Sequence, residues 1–411
     1  MAKIPTPTTW QSTTFASLRY KDYRWMWLGS ITEHAGEWAE LTAISWLVLD
    51  ITGSPFWLGL VAFARSGPRL VFPLIGGVVA DRINRRNLLM STLVAFSFLS
   101  VILAALVLTH QVQVWQIFLL VLLGGIAQCF NHPARATILP NLVPRQDLVN
   151  AVSLDMASVT GSRIFGPPLA GLFIGTFGIS GVLGVRALGA LVTLIMLLFI
   201  DTPLTPFSAR KASVLQNFSE STSYLKSNSF VFFLITLWVI PFLLVMPYVA
   251  LLPVFARDIL KVGPEGYGLL MGAPGLGAIV GVFTLASIRD FRRKGQLIFA
   301  CGVALGVFLL SFAFSKWFAL SLFMVFIAGG TNAVYQATNN SLLQLNIPDA
   351  LRGRIMSFRE VATGMEPLGN LVLGAGAELM GAPLALGIQG VVCSLVSLAS
   401  AALLRNVRRL Q

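Results

Sequence analysis

The sequence predicts an all-α integral membrane protein in which twelve transmembrane helices form two pseudo-symmetric six-helix bundles. Three observations lead there. Apolar residues make up 56% of the 411-residue chain and charged residues only 11%, against about 25% charged in a soluble domain. The apolar residues fall in unbroken runs, such as 93–108, 114–126 and 303–314, rather than at the spacing of an amphipathic surface helix. The two halves of the chain also repeat each other at nearly constant offsets.

Residues 1–23 are polar, with no short apolar segment followed by a small-residue cleavage site. No signal peptide is expected, and the first span should itself drive insertion. A helix needs about 20 apolar residues to cross the hydrocarbon layer. On that criterion the N-terminal bundle, 24–200, holds spans near 24–49, 55–80, 88–109, 113–139, 147–175 and 178–200. The polar stretch 201–229 interrupts the pattern and reads as a cytoplasmic loop, with 214–225 as a short amphipathic surface helix. The C-terminal bundle, 230–404, holds spans near 230–256, 265–288, 296–314, 317–345, 353–378 and 382–404, and residues 405–411 form a tail.

Lys and Arg placement orients these spans. Of the 29 Lys and Arg, six arginines lie within or at the ends of spans, three (Arg257, Lys261 and Lys316) fall on one side, and the remaining 20 fall on the other. The rich side is expected to be cytoplasmic, which puts both termini on the cytoplasmic side of a bacterial inner membrane. This asymmetry accounts for the net charge of +12 without nucleic acid, since no aromatic-basic binding pattern accompanies it. Cys129, Cys301 and Cys393 each sit in an apolar run, an odd count that fits neither a disulfide framework nor a zinc site.

The repeat is explicit in the residues. Ser54, Pro55, Gly59 and Asp81 match Gly263, Pro264, Gly268 and Asp290 at an offset of 209. Gly124, Gly125, Asn131, Arg135 and Asn141 match Gly329, Gly330, Gln336, Asn340 and Asn346 at 205, and Gly166 and Gly171 match Gly369 and Gly374 at 203. Two similar bundles rocking about a midplane site is how many transporters alternate access.

The loop after the second span reads Gly77-Val78-Val79-Ala80-Asp81-Arg82-Ile83-Asn84-Arg85-Arg86. It resembles the Gly-x-x-x-Asp-Arg-x-x-Arg-Arg signature of the major facilitator superfamily, and Asp290 marks a degraded second copy. The resemblance implies that Gly77, Asp81, Arg82, Arg85, Arg86 and Asp290 latch the cytoplasmic side in the outward-facing state. The fifth span contains Gly161, Gly166, Pro167 and Gly171 in a stretch similar to the antiporter motif of facilitator exporters, with Ser162 and Ala170 in place of two glycines. Small residues there permit close helix contact and the prolines bend the helix. Asn131-His132-Pro133-Ala134-Arg135, Leu139-Pro140, the run from Ile347 to Arg354, and Pro367-Leu368-Gly369 resemble the enterobactin-exporter branch. That branch implies export of siderophores, drugs or related small organic molecules by proton antiport. The chain departs from many drug–proton antiporters at Leu119, Leu120 and Val121, where those proteins carry an arginine before a glycine like Gly124.

Ionisable residues inside a bilayer cost about 2.5–3.5 kcal/mol on insertion scales, so they face a cavity or a partner. Glu33, Glu37 and Glu40 share one stripe of the first span with Gly29 and Gly36, and His34 sits beside it. Arg65 and Arg69 occupy one face of the second span. Counting residues from the cytoplasmic ends places Glu37 level with Arg69 and Glu40 level with Arg65. Three glutamates against two arginines then leave one carboxylate over, a candidate proton carrier or cation binder. Asp155, Arg163 and Glu366 lie in other spans, the last two at equivalent places in the repeat. Gln128, Asn131 and Arg135 line one polar stripe, and Asn332, Tyr335, Gln336 and Asn339 another; as substrate ligands or as interhelical glue they would look the same. His34 with Glu33 and Glu37 lacks a second histidine, so no metal site is expected.

No phosphate-binding loop of the Gly-x-x-x-x-Gly-Lys-Ser/Thr kind and no nucleophile–base set is present, so neither an ATP-driven pump nor an enzyme is expected, and no cofactor. The reading is a secondary active exporter, most simply a monomer, of a small-molecule substrate, with protons as coupling ion and lipid as surroundings. The alternatives are a lipid or lysolipid flippase on the same fold, a divalent metal or cation exporter, and a non-transporting sensor or scaffold.

Overall fold

A computed structural model describes residues 14–72, 84–202, 228–288 and 293–403. Gly77, Asp81, Arg82 and Asp290 of the gating motif lie outside the described residues, as do 203–227 of the central polar stretch. Among the described residues the structure is helical, with no strand.

The first half comprises α1 (Lys21–Thr52), α2 (Pro55–Ser66), α3 (Arg85–Leu108), α4 (Val114–Ile138) and α5 (Leu148–Leu198). Gly53 ends α1 in the left-handed region at φ 61°, and Ser54 then caps α2, whose first residue is Pro55. A one-turn helix, Pro68–Val71, extends α2 and carries Arg69. Asn84 caps α3 by accepting the Arg86 N–H at 2.9 Å. Gln116 closes the start of α4 by accepting the Gln113 N–H at 2.8 Å. Helix α5 is 51 residues long, but Gly178, at φ 71° and ψ 176°, breaks it at the first residue of the second of the two spans expected from the sequence. Before α1, the segment Ala16–Arg19 is pinned to the start of α5. Arg19 and the Tyr20 hydroxyl both donate to Asp147, at 2.6 and 2.7 Å.

The second half comprises α6 (Ser229–Ile259), α7 (Gly263–Ser287), α8 (Lys294–Ala313), α9 (Phe318–Asn346), α10 (Asp349–Thr363), α11 (Glu366–Met380) and α12 (Ala382–Leu403). Within α6 the stretches Pro241–Val245 and Phe255–Ile259 widen into π turns, the first starting at a proline that has no N–H to continue the ladder. The span expected at 353–378 is two helices, interrupted just before Pro367, because a proline's missing donor and ring favour a helix start over a helix interior.

Among the described residues eight helices, α3 to α9 and α12, are long and apolar enough to cross a membrane. Only 33% of the most apolar stretch of α3 is buried, so most of its apolar surface faces outward, as it would toward lipid. Phe98, Phe165, Phe283 and Leu379 are exposed in this way. Helix α1, at 32 residues, falls outside the eight because of its polar stripe.

Helices of each half pack principally on one another, α5 on α1 and α3 in the first, α7 on α9 and α8 on α12 in the second. The halves meet mainly along α2 with α11 and α5 with α7. Both meetings centre on glycine. A β-carbon on Gly59 would lie 2.5 Å from the Asn370 carbonyl oxygen and 2.9 Å from Cα of Gly374. One on Gly171 would collide with the Pro264 carbonyl and come within 3.2 Å of Cα of Gly268. Only glycine allows backbones this close. The two contacts are copies under the internal repeat, since Gly59 matches Gly268 and Gly171 matches Gly374. Both lie toward the end of the molecule that carries the α1–α2 and α6–α7 turns.

Candidate functional site: a charged cavity between the halves

Just past these contacts the same helices part around a cavity of about 430 Å³. Its walls come from α1, α2, α4 and α5 on one side and from α6, α7, α9 and α11 on the other. Among the described residues, five charged ones line it: Glu37, Arg65 and Arg69, Arg163, and Glu366. Asn332, Gln336 and Asn370 add polar groups from the second half, and Trp38, Leu41, Val245 and Met271 supply apolar wall. An adjoining cleft of about 50 Å³ reaches into the first half along Glu37, Glu40 and Arg186.

The three glutamates of α1 each meet a different arginine. Glu33 accepts from Arg135 of α4 at 2.7 Å, with both side chains buried. Glu37 accepts from Arg65 at 3.3 Å and from the Gln128 amide at 3.2 Å. Glu40 lies 3.5 Å from Arg186 of α5 and accepts from the Ser100 hydroxyl at 2.8 Å. Arg186, only 2% exposed, also donates to the Glu33 carbonyl at 3.2 Å, so it ties two turns of α1 to α5. Asp155 joins the lattice at 3.9 Å from Arg135 and accepts from Ser30 at 3.2 Å.

This pairing corrects the expected one. Glu37 pairs with Arg65 rather than Arg69, and Glu40 with Arg186 rather than Arg65. No carboxylate of the stripe is left over, because Arg135 and Arg186 arrive from helices that the count of two arginines ignored. The acid in the cavity without an ion pair among the described residues is Glu366, and Arg69 and Arg163 are likewise without one. Arg163 instead places its guanidinium 5.5 Å from the Trp38 ring centre.

The remaining predicted residues divide between cavity and packing. Asn332 and Gln336 line the cavity. Asn131 donates to Thr92 at 3.0 Å, Tyr335 to the Leu237 carbonyl at 2.7 Å, and Asn339 to the Leu234 carbonyl at 3.2 Å, all as bonds between neighbouring helices. Gln128 bridges Glu37 to His132. His34 is buried, with Nδ1 unpartnered among the described residues, and no group of three or more metal-binding side chains occurs among them. Gly166 abuts Trp38 and Ala35 of α1, the Pro167 carbonyl abuts Gly268, and Gly161 meets no neighbour. Arg85 donates to the Thr137 carbonyl and Arg86 to the carbonyls of Leu197 and Leu198, so both hold helix ends within the first half.

Sequence reasoning passed over Arg186 and Arg359. Arg359 bonds Asn340 at 2.9 Å and lies over Trp238. For Arg186 the signal was available: a lone arginine inside the apolar stretch 182–198 must find a partner.

Among curated proteins, the chain is 23% identical to a staphyloferrin A transporter of Staphylococcus aureus over 87% of this chain and 89% of that one. It is 25% identical to an enterobactin exporter of Citrobacter koseri over 87% and 86%. Its structure matches that of the nucleoside transporter NupG with a TM-score of 0.76 at 14% identity, covering 93% of this chain and 99% of that one. The model of one transporter family, described as transmembrane secretion effector, matches residues 12–410. With that match spanning nearly every residue and the facilitator fold around a central cavity, the chain belongs to the transmembrane secretion effector family of major facilitator transporters and is a transporter, not an enzyme.

Proposed function

We propose that this protein exports a small organic molecule, drug-like or siderophore-like, across a bacterial inner membrane by alternating access coupled to protons. One observation carries the reading: a charged cavity lies between two similar halves, and two repeat-related glycine contacts, Gly59 with Gly374 and Gly171 with Gly268, hold the halves together beyond one end of it. Separation of those contacts would open the cavity on that side. Reading the broken α5 as two spans and α10 with α11 as one would give the expected twelve, in proposed bundles of 24–200 and 230–404. Positive-inside asymmetry places both termini, and the 201–229 loop, in the cytoplasm. The turns beside the glycine contacts then face outward, so the arrangement seen is closed to the outside. The protein works as a monomer, since the whole route lies within one chain.

Protons enter through the cavity acids Glu37 and Glu366. Glu37 is tuned by Arg65 and Gln128 rather than by Arg69. Export is tested in two steps. Expression in an efflux-deficient bacterium, scored against a panel of siderophores and antibiotics, identifies a substrate. Everted vesicles should then accumulate that substrate when the lumen is acidified, and a protonophore should abolish accumulation. Accumulation indifferent to the gradient removes proton coupling, and no protected or exported compound removes the export reading.

A further inference from the structure

Among the described residues the cavity's charges do not balance. Arg65, Arg69 and Arg163 face Glu37 and Glu366, an excess of one cation, and Arg65 is already engaged by Glu37. Arg69 and Arg163 therefore line the cavity with no carboxylate within 4 Å among the described residues. A guanidinium cannot shed its proton to relieve burial, so an unpaired one in a low-dielectric cavity is stabilised chiefly by an anion brought to it. Arg163 has the Trp38 ring at 5.5 Å, an aromatic face that leaves its N–H groups free to donate.

Across the cavity, on α9, a second observation points to a ligand. Asn332 is only 7% exposed and lines the cavity, yet its side-chain oxygen is buried without a hydrogen-bond donor. Buried amide oxygens are nearly always satisfied; this one has no donor among the described residues, and rotation of the amide toward the cavity would offer it one from a ligand. Gln336, one helical turn along, presents a second amide to the same space.

Resting on the export reading, we infer that the cavity binds an organic anion. Its carboxylate or comparable oxyanion is held by Arg69 and Arg163 of the first half, and a hydroxyl or amide N–H donates to Asn332 of the second. The volume of about 430 Å³ suits a drug-sized molecule rather than an inorganic ion. A ligand gripped from both halves would also resist their separation or assist it, depending on which state brings the two grips closer. A phosphate headgroup offers the same oxyanion chemistry, but the occupant assigned here is a soluble organic anion.

Two dyes of one ring framework test this: 5-carboxyfluorescein, which carries carboxylates, and rhodamine 123, which carries a cation. Binding is read by fluorescence anisotropy with the full chain in phosphatidylcholine nanodiscs. Carboxyfluorescein should bind at least about tenfold more tightly than rhodamine 123, and Arg69→Gln or Arg163→Gln should each remove about that factor. Arg163→Lys should recover part of it, and rhodamine 123 should bind these variants as well as or better than wild type. Asn332→Ala should weaken binding less than either arginine change. Preference for the cation, binding of neither dye, or unchanged carboxyfluorescein affinity in a monodisperse Arg69→Gln/Arg163→Gln protein overturns the inference. Displacement of the dye by phosphatidylglycerol and not by soluble tricarboxylates overturns the assignment to a soluble anion. Transport of rhodamine 123 without anion binding would remove this subsite and leave export standing, whereas tight carboxyfluorescein binding with no transport of any compound would remove export and leave the subsite.

Discussion

Glu33, Glu37 and Glu40 share a stripe of one helix, yet they sit in different surroundings. Glu33 and Arg135 are both buried at 2.7 Å, and removing one partner leaves the other charged and dry. Arg135→Met should therefore destabilise the protein by about 3–5 kcal/mol, read from unfolding in mixed micelles, while the double change Glu33→Gln/Arg135→Met should recover most of the loss. Glu37 borders the cavity and is more accessible, so its removal should act on coupling instead. Glu37→Gln keeps the shape and the Gln128 contact. It should leave thermal stability within about 1 kcal/mol of wild type and abolish gradient-driven accumulation, yet permit substrate exchange. A large stability loss with coupling intact would make Glu37 a structural residue. The stripe itself was legible, because three acids at helical spacing in an apolar run have no other explanation. Their partners were not. Arg135 and Arg186 lie 102 and 153 residues away along the chain from Glu33, and no depth count along α2 could find them.

At the scale of the helices, glycines govern how closely the halves approach. Each glycine was visible as part of a repeat, at offsets of 209 and 203. That the two sets join crosswise, Gly59 to Gly374 and Gly171 to Gly268, is a tertiary fact that spacing along one chain does not contain. Gly59→Val would drive a side chain into the Asn370 carbonyl. Overpacking of this kind costs about 1–3 kcal/mol. Because the contact joins two bodies that must part, the expected result is a shift toward the separated state rather than unfolding. A cysteine at Ser45, on the cavity wall, should then react with a membrane-impermeant maleimide from outside faster than in wild type, by about fivefold or more. Slower or unchanged labelling, with the protein folded, would mean that the contact does not hold the outer side shut. The helix breaks were partly legible. Gly178 begins the second of two predicted spans, whereas the interruption before Pro367 was read as continuous because apolar runs report burial and not backbone hydrogen bonding.

For the molecule as a whole, topology and alternation are separate claims. Cysteine labelling checks the first: a cysteine at Ser213 should react only after permeabilisation, and one at Gly263 should react in intact cells. Reaction of Ser213→Cys from outside would invert the orientation. Alternation is the central claim, and the α2–α11 contact offers a direct handle on it. The Glu378 carboxylate accepts from the Ser54 hydroxyl at 2.7 Å and from the Phe56 N–H at 3.2 Å, bridging the two halves at the end where they touch. In a protein freed of its three buried native cysteines, Ser54→Cys and Glu378→Cys should form a disulfide on mild oxidation. Efflux of the identified substrate is then measured before oxidation, after it, and after reduction. Alternating access predicts that the crosslinked protein falls to background and recovers on reduction, while each single-cysteine control is unaffected by oxidant. Undiminished efflux from fully crosslinked protein would contradict the account.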